Sequence, residues 1–208
     1  MLLTYSLSFV NWPVSSVDVD KTGDNISSEL LTEVINPTLA QGWFRLNIND
    51  VKKTVEDLSW VKSVKVSRVF PDKLTIKVAE HNAIARWGST HLISDNGITF
   101  IVSNQEKFFD LPLLEMSKEN IPKVFAAVLK INHAMKKLHF SRLTTVKFSD
   151  KYGWEIVFDN KLLVMFMAND FVVNLDSFIR NYPLILASRK GVAPRLIDMR
   201  YYNGAAVI

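Results

Sequence analysis

The chain has 208 residues, of which 48% are hydrophobic and 22% charged, a composition typical of globular domains rather than of disordered segments. This length allows one large domain or two small ones, each with its own core. The net charge is only +4 and the basic residues are spread along the chain, which argues against nucleic-acid binding. Because there is no cysteine, disulfides, thiolate metal sites and cysteine nucleophiles are excluded.

The chain starts with MLLTYSLSFVNW, which is apolar and uncharged. A helix that spans a bilayer needs about 20 such residues. The basic start and small-residue cleavage site of a signal peptide are also missing. On its own, this stretch predicts an ordinary first strand or a poorly ordered tail.

Residues 14–82 predict a module of order β-α-α-β-β. The opening strand is expected near 13–19, and Asn25 to Ser28 offer caps for a first helix that Asn36-Pro37 should end. Asn49 is the expected cap of a second helix, whose apolar residues recur at helical spacing.

A β-hairpin follows between Trp60 and Glu80. Val64, Val66 and Phe70 alternate with polar residues along its first arm, and Leu74, Ile76 and Val78 along its second. Phe70-Pro71-Asp72-Lys73 is the predicted turn. Arg68 interrupts the apolar face, so we expect the hairpin to lie near a sheet edge.

Residues 83–208 predict an antiparallel sheet with two long helices. Short strands are expected at 84–87, 91–94 and 99–102, then an edge piece or loop around Pro112. Asn120 and Pro122 mark the start of one helix, and Asn169 or Asp170 caps the other. Between them lie three strands near 143–148, 154–158 and 162–167, and strand material closes the chain at 197–200 and 205–208.

No catalytic constellation is visible in the sequence. The four histidines form no metal-binding spacing, and the seven glycines form no phosphate-binding loop. Paired carboxylates such as Glu56-Asp57 fit a solvated helix face better than acid–base catalysis. We therefore expect no cofactor, no bound metal and no enzymatic activity.

Two stretches resemble a known family. The pattern WVKSVKVSRVFPDKLTIKVAE of residues 60–80 resembles bacterial POTRA modules, and the AIARW that follows is similar to the FtsQ family of cell division proteins. DMRYYNGAAV at 198–207 resembles the D-L-R-Y-x-x-G-A-A-V pattern that closes the FtsQ β-domain. The resemblance implies an α+β fold with a POTRA domain at 14–82 and a β-domain at 83–208, and it makes residues 1–13 the remnant of a transmembrane anchor.

The resemblance also implies a function. FtsQ proteins are single-pass inner-membrane proteins of the division septum, with most of the chain in the periplasm and no enzymatic activity. The POTRA module is expected to meet earlier division proteins such as FtsK, and the β-domain to bind FtsB and FtsL. The chain would thus link early division proteins to septal peptidoglycan synthesis.

The expected partner site is the last strand and its flank. Small side chains at Ala205 and Ala206 leave backbone accessible to a partner strand, as in β-augmentation. The resemblance implies main-chain pairing there, an aromatic contact by Tyr201, and an acidic partner residue facing Arg200. The full expected set is Lys151, Arg200, Tyr201, Asn203, Gly204, Ala205, Ala206, Val207 and Ile208.

Two departures from the family pattern affect this site. Asn203 stands where a relative has serine, and relatives continue past the position of Ile208 with an aromatic residue and a flexible tail. We therefore expect part of the partner site to lie beyond this sequence.

Three alternatives remain open. One is a POTRA-type polypeptide-binding module of an outer-membrane assembly or secretion machine, which predicts several POTRA modules and a barrel of alternating segments. Another is an ordinary terminal strand without a partner. The third is an enzyme whose site is assembled from distant residues, for which the sequence gives no positive sign.

Overall fold

A computed structural model describes residues 12–138, 141–201 and 204–208. They divide into two compact units, with the division between Asn82 and Ala83. Each unit has its own cluster of buried hydrophobic side chains. Both mix helices with strands, so the predicted α+β fold class is confirmed.

The first unit has the order β-α-α-β-β. Its elements are β1 (Ser16–Lys21), α1 (Ser28–Leu39), α2 (Ile48–Glu56), β2 (Val61–Val69) and β3 (Lys73–Glu80). β3 lies in the middle of the sheet, antiparallel to β2 and parallel to β1. β2 is therefore an edge strand, as the interruption at Arg68 predicts.

The core of this unit lies between the two helices and one face of the sheet. Its buried side chains come from both helices, from the hairpin, and from the loops that precede the two helices. They are Ile26, Leu31, Ile35, Leu46, Val51, Val55, Val61, Val64, Leu74, Ile76 and Val78.

Three local predictions in the first unit are wrong. α1 does not end at Pro37 but continues to Leu39. A proline in the last turn removes only its own backbone donor, and the next turn still closes because Ala40 N donates to Asn36 O at 3.1 Å. The cap of α2 is Asn47, whose side-chain oxygen accepts from Asn49 N at 3.0 Å. Phe70 is 87% exposed, since it lies in the turn beyond the last paired residues, Val69 and Lys73.

The second unit contains one nine-stranded sheet and two long helices. The strands are β4 (Ala83–Trp87), β5 (His91–Ser94), β6 (Thr99–Ile101), β7 (Leu113–Glu115), β8 (Leu143–Ser149), β9 (Gly153–Phe158), β10 (Leu163–Phe166), β11 (Leu196–Tyr201) and β12 (Gly204–Val207). The helices are α3 (Ile121–Leu138) and α4 (Phe171–Ser188). The order across the sheet is β12-β11-β10-β9-β8-β7-β4-β5-β6. The sheet is mixed rather than antiparallel as expected, because β7 is parallel to both of its neighbours and β10 is parallel to β11. Helix α3 connects β7 to β8 and helix α4 connects β10 to β11, and such crossover connections join parallel strands.

α3 and α4 share one buried cluster with this sheet. Val128 and Ile131 of α3 and Phe178 of α4 belong to the same core as Trp154 and Phe166 of the sheet. Asp170 occupies the expected N-cap position of α4, but its side chain accepts no capping hydrogen bond. In the described parts of the chain, no helix is both long and apolar enough to cross a membrane.

The expectation of an edge piece or loop around Pro112 holds for residues 109–112, which form no strand, but is wrong for Leu113 and Leu114. β7 pairs with β4 on one side and with β8 on the other, in parallel both times, so it lies inside the sheet. Pro112 immediately precedes the strand, where its missing N–H removes no ladder bond, and its carbonyl accepts from Arg86 N at 2.8 Å.

Candidate partner-binding site at the sheet edge

β12 is an edge strand of the nine-stranded sheet. It pairs antiparallel with β11, with Val207 opposite Ile197 and Ala206 opposite Asp198. In the described residues no strand lies on its other side. Such an edge presents backbone N–H and C=O groups that can pair with an added strand.

Hydrogen bonds at the end of β12 show which residues face outward. Ile208 N donates to Leu196 O at 3.0 Å, and Ile208 O accepts from Leu196 N at 3.2 Å. In an antiparallel ladder every second residue bonds to the same neighbour. Ala206 therefore faces β11 with its backbone, while the backbone groups of Ala205 and Val207 face away from the sheet.

The side chains of β12 leave this edge accessible. Gly204 and Ala205 are exposed, and a Cβ built on Gly204 would meet no atom within 4 Å. Val207 is half-buried and packs against the core of the unit, which holds the strand in place. The register of β11 against β12 shifts between Asp198 and Tyr201, where β11 has one residue more than β12, so β11 carries a bulge.

An ion pair within β11 orients Arg200. Arg200 Nε donates to Asp198 Oδ1 at 2.9 Å, and Nη2 donates to Asp198 Oδ2 at 2.6 Å, which is a bidentate contact. These hydrogen bonds lower the pKa of the Asp198 carboxyl and raise the pKa of Arg200. Asp198 is buried, so Arg200 is held over a carboxylate of its own strand while part of its side chain stays exposed.

The turn between β8 and β9 brings Lys151 to the same place. Lys151, Arg200 and Tyr201 line one open cavity of about 460 Å³ together with Tyr152 and Met167. Lys151 Nζ lies 5.0 Å from the centre of the Tyr152 ring. Tyr201 is 61% exposed, and Tyr152 and Met167 are exposed as well. The cavity thus combines two cations with a mostly exposed aromatic and apolar wall.

A second groove runs along the helix side of the edge. Its volume is about 450 Å³, and Tyr201 also lines it. Polar side chains of α4 form one wall, and Met199, Ala205 and Val207 form the other. A strand added to β12 would extend over this groove on one face of the sheet.

The comparisons with known proteins cover both units. Residues 12–81 match the model of the POTRA domain of FtsQ type, and residues 85–200 match that of the C-terminal part of cell division protein FtsQ/DivIB. The chain belongs to the FtsQ/DivIB family of cell division proteins. The second match ends at Arg200 and does not include β12. The assignment of β12 as an edge strand therefore depends on the structure of this chain alone.

Individual relatives agree with this family. Cell division protein FtsQ of Actinobacillus pleuropneumoniae is 30% identical over 179 residues, which are 83% of this chain and 77% of that protein. The FtsQ protein of Methylomonas methanica is 24% identical, covering 98% of this chain and 81% of its own length. The FtsQ protein of Xanthomonas campestris pv. campestris is 26% identical, and the match covers 94% of this chain and 69% of that protein.

The structure brings together most of the residues that the FtsQ resemblance names. Lys151 meets Arg200 and Tyr201 around the cavity, and Gly204 to Ile208 form or flank the edge strand. Asn203 lies outside the described residues. Ala206 lies on the edge strand, but its backbone pairs inward, so the outward groups belong to Ala205 and Val207.

Sequence reasoning missed Asp198, Tyr152 and Met167. The spacing of Asp198 and Arg200 in a strand, i and i+2, was a usable signal because such residues share one face of a sheet. Tyr152 and Met167 gave no comparable signal. They reach the site only because the end of β10 lies beside β11 and the β8–β9 turn lies next to that end of β10.

Proposed function

We propose that this chain is a non-enzymatic scaffold of the cell division complex that takes up a strand of FtsB at β12, with FtsL bound alongside. The observation that carries the proposal is the edge itself. Ala205 and Val207 direct their backbone groups outward next to a cavity that Lys151, Arg200 and Tyr201 line. An added strand would satisfy those groups and place its side chains in the cavity and the groove.

The charges of the cavity indicate what the partner carries. Asp198 is engaged by Arg200, and Asp150 lies 3.8 Å from Lys123 Nζ. In the described residues Lys151 has no ion pair. An acidic side chain on the partner segment would therefore pair with Lys151 first and with the exposed part of Arg200 second.

The remaining parts of the proposal follow from the family. We place the protein in the inner membrane as a single-pass protein, with both described units in the periplasm at the division septum. The POTRA unit is proposed to contact earlier division proteins such as FtsK. These assignments agree with the match of an FtsQ-type POTRA model to residues 12–81.

Backbone pairing at the edge can be tested at Ala205. Ala205→Pro removes the outward N–H without touching a bond to β11, and proline is tolerated on edge strands. We expect it to weaken binding of the periplasmic segment of FtsB about tenfold or more, as measured by calorimetric titration of the whole chain. Ala205→Ser keeps the N–H and should bind like the parent. Equal binding by both variants would refute pairing at this edge.

The aromatic contact can be tested at Tyr201. Tyr201→Ala should weaken the same complex by roughly thirtyfold, because truncated interface aromatics often lose about 2 kcal/mol. Its melting temperature should match that of the parent, since the ring is exposed. Phe109→Ala, another exposed aromatic of this unit, is the control and should leave binding unchanged. Parent-like affinity of Tyr201→Ala would place the contact elsewhere.

A further inference from the structure

Two exposed aromatic rings lie together in the first unit. Trp12 and Phe44 are in edge-to-face contact, with ring centroids 6.5 Å apart. Trp12 is 45% exposed and Phe44 is 72% exposed. Their main chains are joined as well, because Trp43 N donates to Trp12 O at 2.6 Å. The pair is thus a fixed apolar projection rather than two independent surface residues.

The turn between α1 and α2 gives this projection its direction. Gly42 has a φ of 81°, a left-handed conformation that glycine adopts without steric cost. After it, Leu46 N bonds to Gly42 O at 2.8 Å, so the turn is closed. Trp43 and Leu46 point into the core, and Phe44 and Arg45 point out. A side chain this large is exposed here by the geometry of the turn.

The surroundings of the rings are basic. Arg45 is exposed beside Phe44, and Arg68 donates to Leu46 O while its guanidinium lies 5.4 Å from the centre of the Trp43 ring. The segment 40–46, AQGWFRL, contains no acidic residue. The sequence that leads into Trp12, residues 1–11, contains no charged side chain at all.

We propose that Trp12, Phe44, Arg45 and Arg68 form a contact site for the surface of an anionic lipid bilayer. Tryptophan and phenylalanine suit the headgroup region, where an apolar ring is buried and polar atoms stay wet. Arginines beside them pair with lipid phosphates. The inference adds a contact to the proposed membrane location and does not depend on the strand edge.

The test is co-sedimentation of the whole chain with vesicles of phosphatidylethanolamine and phosphatidylglycerol. Phe44→Ser should lower the partition coefficient about tenfold, because one large apolar side chain no longer enters the bilayer surface. Arg45→Gln should lower it about fivefold, and only when the vesicles are anionic, as shown by vesicles of phosphatidylcholine alone. Residues 1–11 are the same in every variant, so any difference in partition coefficient between a variant and the parent comes from the substituted residue.

Phe109→Ser is the matched control, since Phe109 of the second unit is exposed to a similar degree, 63% against 72% for Phe44. It should bind vesicles like the parent, and Phe44→Ser should still bind the FtsB segment like the parent. The inference is wrong if the parent does not sediment with anionic vesicles. It is also wrong if Phe44→Ser binds them like the parent, or if Phe109→Ser loses as much binding as Phe44→Ser.

Discussion

Asp198 fixes the orientation of the Arg200 side chain in the absence of a partner. A free arginine at a strand end would sample many rotamers and would lose that freedom on binding. Here two hydrogen bonds from the guanidinium to the Asp198 carboxylate hold the side chain in one arrangement, and Arg200 N fixes that carboxylate by donating to Asp198 Oδ1 at 3.0 Å. The exposed part of the guanidinium is therefore already positioned beside Tyr201 and the cavity.

The stability of this pair should depend on pH. Because the pKa of Asp198 is lowered in the folded protein, its contribution is present above the unfolded pKa of about 4 and is lost as pH falls through the folded pKa. We expect Asp198→Asn to lower the free energy of unfolding by about 1–2 kcal/mol at pH 7, and this loss to shrink as pH falls below about 4, in urea titrations. Asp176→Asn, an exposed carboxylate on α4, should change it little. A pH-independent difference would mean that the ion pair does not stabilise the fold.

At the level of elements, local patterns predicted most of this fold. Period-two alternation found both arms of the β2–β3 hairpin, and helical spacing found α3 and α4, because one face of each is buried. Two of the errors share an origin. A proline interrupts a helix or a sheet only where its missing N–H would form a bond. Pro37 lies in the last turn of α1 and Pro112 lies just before β7, so neither proline interrupts its element.

The arrangement of strands could not be predicted in the same way. Which strand is an edge depends on pairing between distant segments, such as the parallel pairs β4–β7 and β10–β11. The meeting of Lys151 with Arg200 depends on the same sheet order. The FtsQ resemblance supplied these residues together, whereas the sequence pattern alone gave no reason to join them.

The loop between β1 and α1 is fixed by a single carboxylate at the end of β3. Glu80 is buried and accepts from Asn25 N at 3.1 Å, Asn25 Nδ2 at 2.9 Å and Ile26 N at 3.2 Å. A Cβ on Gly23 would clash with Glu80 Oε2, and the three hydrogen bonds prevent this carboxylate from moving freely. The loop and the strand end therefore behave as one structural unit.

Gly23→Ala should consequently destabilise the protein. We expect a loss of about 1–3 kcal/mol in the free energy of unfolding, because the new methyl group displaces the carboxylate from its donors. Gly204→Ala is the comparison, since a Cβ there meets nothing within 4 Å, and it should be nearly neutral. Urea denaturation of both variants is sufficient. If Gly23→Ala unfolds at the parent's urea midpoint, Glu80 is not the anchor of this loop.

At the scale of the whole molecule, the chain builds two cores rather than one. Leu31 and Ile76 belong to the first buried cluster, and Val164 and Phe178 belong to the second. The POTRA module and the FtsQ/DivIB C-terminal part match the same two regions. Function is divided accordingly in our proposals, with strand docking in the second unit and membrane-surface contact in the first.

Because each unit has its own core, we predict that each unit can unfold while the other stays folded. Val164→Asp places a charge in the fully buried centre of β10 and should unfold the second unit, whereas Leu31→Asp should unfold the first. Hydrogen exchange followed by mass spectrometry would locate the loss. For Val164→Asp we expect lost protection in β8 to β11 and retained protection in α1, β2 and β3, and the reverse for Leu31→Asp. Loss of protection across all strands in either variant would show that the two units fold as one cooperative structure.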